Sequence, residues 1–62
     1  MRTIDERLEE ITELCNFRLF HVADKKIDAL YEDYTRDRVE MNEYQTEWIF
    51  NLIDRISTAI YG

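Results

Sequence analysis

Cys15-Asn16-Phe17-Arg18 separates two apolar series that do not share a helix face. Before it, Ile4, Leu8, Ile11 and Cys15 recur at spacings of four, three and four, with Leu14 flanking them. After it, Phe20, Ala23, Ile27, Leu30 and Tyr34 form a second regular series, with Tyr31 beside it. At 100° per residue, the centre of the second series lies roughly 110° around the helix from the first. One straight helix facing one core cannot serve both. The tetrapeptide therefore predicts a break or sharp kink. The alternative is a continuous helix whose halves face different neighbours.

Working outward, Thr3 and Glu6 have capping-box spacing, and Asp5 and Glu6 suit the positive end of a helix dipole. A first helix is predicted to start near Ile4. On the other side, the polar run Thr35-Arg36-Asp37-Arg38 interrupts the second series. Asp37 and Glu40 repeat the spacing of a capping box, which predicts a last helix from about Arg38 to Tyr61. A short connection of this kind makes an antiparallel αα-hairpin.

The last helix carries an unusually wide apolar side. Met41, Tyr44, Trp48, Ile49, Leu52, Ile53, Ile56, Ala59 and Ile60 cover about 180° of the wheel, against ~100° for an ordinary surface helix. Such a face should meet two neighbours, or one neighbour and a second subunit. Tyr44 and Trp48 lie on the stripe and are expected in the core. Phe50 and Tyr61 leave it, and Phe50 is expected to touch another chain.

Composition agrees with helices. Hydrophobic residues are 45% and charged residues 35% of the chain, a globular balance. Proline is absent and Gly62 is the only glycine, so the residue that most cheaply makes hairpin turns is missing. A chain of 62 residues admits one domain (1–62) with a marginal core. A single cysteine permits no internal disulfide, and one histidine builds no metal cluster. Oligomerisation or a larger partner is the remaining supplement. The expected fold is all-α: a small three-helix unit, with a C-terminal antiparallel αα-hairpin and an N-terminal helix packed across it, dimerising into a helical bundle. If the first break is only a kink, a two-helix hairpin pairs with its copy as a four-helix bundle.

The net charge of −6 disfavours plain nucleic-acid binding. Neither a signal-peptide pattern nor an 18-residue apolar run is present, and a lone thiol suits a reducing compartment; a cytoplasmic location away from membranes is expected. No cofactor and no metal are expected. Cys15 falls on an apolar stripe and reads as a small buried hydrophobe, while His21 falls opposite the core stripe and reads as exposed. No orienting third group accompanies them, so no enzymatic role is expected.

The expected function is that of a protein-binding module that regulates or inhibits a partner by steric blocking. Its dimer or partner interface is drawn from Tyr44, Trp48, Ile49, Phe50, Leu52, Ile53, Ile56 and Tyr61. The alternative is a nucleic-acid mimic that occupies a basic groove through an acidic face of Glu6, Glu9, Glu10, Glu13, Asp28, Glu32, Glu43 and Glu47. A third reading, direct nucleic-acid binding, would use Arg18, Lys25, Lys26, Arg36 and Arg38. The bland expectation for those bases is pairing with nearby carboxylates, such as Glu32 with Arg36 at i, i+4.

Overall fold

A computed structural model describes residues 2–62, all helix and connecting turns among the described residues. Three helices pack together: α1 (Ile4–Asn16), α2 (Phe20–Thr35) and α3 (Glu43–Tyr61). The break at 15–18 is a true helix end. Helix α1 starts with the full Thr3/Glu6 capping box: the Thr3 side chain accepts the Glu6 N–H, and the Glu6 side chain accepts the Thr3 N–H.

Both α1 and α2 stop in the same way. Arg18 has φ 62° and Asp37 has φ 57°, so each places one residue in the left-handed region. The turn then folds back on its own helix. Leu19 N–H donates to Leu14 C=O at 2.8 Å and Arg18 N–H to Cys15 C=O at 3.0 Å. Arg38 N–H donates to Asp33 C=O at 2.8 Å and Asp37 N–H to Tyr34 C=O at 3.2 Å. These are paired 6→1 and 5→2 bonds of the Schellman type, which satisfy the orphan carbonyls of a helix end.

The start of α3 departs from the expected position near Arg38. Asp37 does not cap the next helix, because its left-handed backbone is already committed to ending α2. The working cap is Asn42: its side chain accepts the Gln45 N–H at 2.8 Å, and Gln45 Oε1 accepts the Asn42 N–H at 3.1 Å. The intervening segment carries Val39 and Met41, which pack half-buried against the core. A connection with two apolar side chains to bury is longer than a minimal turn.

Side-chain pairings give the directions. Arg7 meets Asp33 and Glu10 meets Lys26, so α1 and α2 run antiparallel. Asp5, Thr12 and Asn16 meet Gln45, Trp48 and Arg55 in order, so α1 and α3 run parallel. Tyr31 meets Phe50 while Asp24 and Ser57 line the same groove from opposite helices, so α2 and α3 form the antiparallel hairpin. The core takes three residues from each helix: Leu8, Ile11, Cys15; Ala23, Ile27, Leu30; Ile49, Leu52, Ile56. No helix is dispensable to it.

Candidate protein-docking site

Helix α3 divides its wide apolar side. Ile49, Leu52 and Ile56 are sealed in the chain's own core, so Ile49 and Leu52 of the expected interface set are not free for another chain in this fold, and Ile56 shows only as the floor of a groove. The reason is geometric: two helices, not one, cover α3. Trp48 is half-buried against α1, where its indole N–H donates to Thr12 Oγ1 at 3.0 Å, and Thr12 in turn donates to Leu8 C=O at 2.8 Å. Tyr44 is not core. It is 69% exposed and lies edge-on to Trp48, because Gln45, bonded to Asp5, takes the α1-facing position in that turn. Ala59 and Tyr61 are exposed and Ile53 is half-buried.

Phe50 lies on the opposite flank, toward α2. Its ring is 6.2 Å from that of Tyr31 in an edge arrangement, and both rings are partly exposed. Together they close one end of a groove of ≈ 330 Å³ between α2 and α3. Ile27 and Ile56 form its floor, Ile53 and Ser57 its α3 wall, and Asp24 and Asp28 its α2 rim. The two floor residues also belong to the core, so the trough is built directly on the packing that holds the three helices together. Tyr31, Asp24, Ile27 and Ser57 were not singled out as site residues by sequence. The available signal was Asp24, Asp28 and Tyr31 at i, i+4, i+7, one position round from Ile27.

A larger concavity of ≈ 380 Å³ between α1 and α2 has a different character. Glu10 sits there between Arg2 at 3.0 Å and Lys26 at 3.2 Å, so its charges already have partners.

The eight carboxylates of the expected acidic face are spread over all three helices. Glu6, Glu9, Glu10 and Glu13 line one shallow concavity on α1. Two of these are engaged locally. The backbone N–H and side chain of Thr3 hold the Glu6 carboxyl below its usual range. The Lys26 ammonium, with Arg2 assisting, lowers that of Glu10. Glu32 pairs with Arg36 at 3.3 Å, as its spacing predicts. Asp28 belongs to the α2/α3 groove, and Glu43 and Glu47 are exposed on α3. Lys26 and Arg38 also pair with carboxylates, Glu10 and Asp33.

Cys15 is sealed in the core, and burial pushes its thiol pKa up, with the Arg55 charge opposing. His21 is exposed on α2. Among the described residues no group of His, Cys, Asp and Glu is arranged to hold a metal ion, and no helix is long and apolar enough to cross a membrane. Comparison with protein families, with curated proteins and with solved structures finds no match to this chain.

Proposed function

We propose that this chain is a protein-binding module that regulates or inhibits a partner by covering the partner's working surface, and that it docks through the α2/α3 groove. One observation carries this reading. Phe50 and Tyr31 hold two aromatic rings partly in solvent at the mouth of an apolar trough. Aromatic anchors beside a desolvated pocket are where binding energy concentrates in protein interfaces. A small chain gains by leaving such a face open only if something else covers it. The reading is binding rather than catalysis: the one thiol is sealed and protonated, and the groove sets two acids beside the Ser57 and Tyr31 hydroxyls with no histidine, lysine or cysteine in its lining to activate them.

Nucleic-acid mimicry has weaker support, since three of the eight carboxylates in question, Glu6, Glu10 and Glu32, are spent on Thr3, Arg2, Lys26 and Arg36, and the rest are spread over three helices. Affinity capture from cells of the native host tests the reading, with the wild-type chain, Phe50→Ala and Tyr44→Ala as baits. A specific protein retained by wild type and Tyr44→Ala but lost with Phe50→Ala is the expected result. Equal retention by all three baits overturns the groove assignment. Retention abolished by modest salt whichever bait is used favours mimicry instead.

A further inference from the structure

We infer that the occupant of the α2/α3 groove is a cationic amphipathic helix of a partner protein, laid along the trough as a fourth helix. This rests on the docking reading above and adds the chemistry of the ligand. Three observations carry it.

The first is shape. The trough runs between two antiparallel helices, on the side of the pair away from α1. Phe50 to Ser57 on one wall and Asp24 to Tyr31 on the other each span eight residues, about 10 Å of helix. Two turns of an incoming helix present apolar side chains at i, i+3 or i+4, and i+7 over that length. Helix α1 uses the same solution on the other side of the hairpin, with Leu8, Ile11 and Cys15.

The second is charge. The described lining residues include two carboxylates and no base. Asp54, one turn on from Phe50 along α3, is exposed and adds a carboxylate beyond the other wall. Lys25 stands one position round α2 from Asp24 and is not part of the lining. A seam of apolar side chains flanked by Lys or Arg matches this surface, the apolar residues on Ile27, Ile53 and Phe50 and the cations on Asp24 and Asp28.

The third concerns the competing occupant. A second copy of this chain carries the same net charge of −6. Docked about a two-fold axis, it would bring Asp24, Asp28 and Asp54 of both chains toward one seam, where like charges repel.

The test uses the full ¹⁵N-labelled chain and two synthetic helical peptides of about 18 residues, long enough to hold several turns. Both carry leucines on one face; one has Lys on the flanks and the other Glu. The expected result is that the Lys peptide moves the amide signals of Asp24, Asp28, Tyr31, Phe50 and Ile53 and binds at least about tenfold more tightly than the Glu peptide. Asp24→Asn/Asp28→Asn should erase that preference, Phe50→Ala should weaken both peptides, and Glu9→Gln/Glu13→Gln should change neither. Equal binding of both peptides in the groove overturns the cationic assignment and leaves the docking reading standing. Lys-peptide signals confined to the α1 face, or no binding by either peptide, overturn the inference and remove support for the docking reading as well. A sedimentation mass of two chains that falls to one in Phe50→Ala identifies the occupant as a second copy and overturns the inference alone.

Discussion

Arg18 and Asp37 hold left-handed backbone that glycine adopts at least cost, and this chain ends two helices there without it. The residues differ in how well they tolerate the position. A short acidic side chain is accepted in the left-handed region more readily than a long basic one. Arg18→Gly should therefore stabilise the fold by about 0.5–1 kcal/mol, and Asp37→Gly by less. Urea denaturation midpoints check the order; a loss of stability in both variants would mean that these side chains contribute contacts worth more than the strain they carry. Cys15 gives a second residue-scale expectation. Its thiol is sealed and its pKa raised, so a disulfide reagent at neutral pH should modify it only as fast as the protein opens, and stabilising Arg18→Gly should slow that reaction.

Helix α3 depends on the Asn42 cap, which lies five residues beyond the Asp37 that spacing alone favours. The Asn42/Gln45 box satisfies backbone donors at its N-terminus, and Asn42→Ala should cost about 1 kcal/mol, with helical circular dichroism lost from the first turn. Glu40→Ala, at the position first expected to belong to the cap, should cost almost nothing. The Thr3/Glu6 cap and the 110° jump between stripes are local patterns, and they placed α1, its end and the start of α2. Asp37 and Asn42 are equally good capping residues on spacing alone. Only the backbone committed to ending α2, and the need to bury Val39 and Met41, decide between them. The site was legible in the same partial way. Phe50 stood out because it left the stripe. Tyr31 opposite it belongs to another helix, and which α2 flank faces α3 is set by packing that no single helical pattern contains. The apolar stripe puts Tyr44 in the core, but Gln45, a polar residue, holds the α1-facing position through Asp5 and leaves Tyr44 exposed.

As a whole molecule, the fold couples acidity to stability through two carboxylates. Glu6 and Glu10 both titrate lower in the folded chain than the usual glutamate value of about 4.3. A depressed folded pKa means that the unfolded chain binds the proton first. The stabilisation is fully present above the usual glutamate range and is lost as pH falls through the lower folded values. Thermal midpoints should be flat from neutral pH to about pH 5 and fall below about pH 4. Both groups are at the surface, so the effect is modest and added salt should reduce it for Glu10, whose partners are the charges of Lys26 and Arg2.

On the same scale, α3 is shared between the chain's own core and the exposed face that we propose docks another protein, and adjacent residues fall on the two sides. Ile49 is fully buried; Phe50 is 48% exposed at the groove mouth. Urea unfolding of Ile49→Ala and Phe50→Ala side by side tests this division most directly. Ile49→Ala should lose about 2–5 kcal/mol, enough to leave a chain of this size largely unfolded, while Phe50→Ala should lose about 1 kcal/mol and keep the wild-type fold. An equal and severe loss in Phe50→Ala would show that its ring belongs to the core, and the surface assigned to a partner would then be part of what holds this chain together.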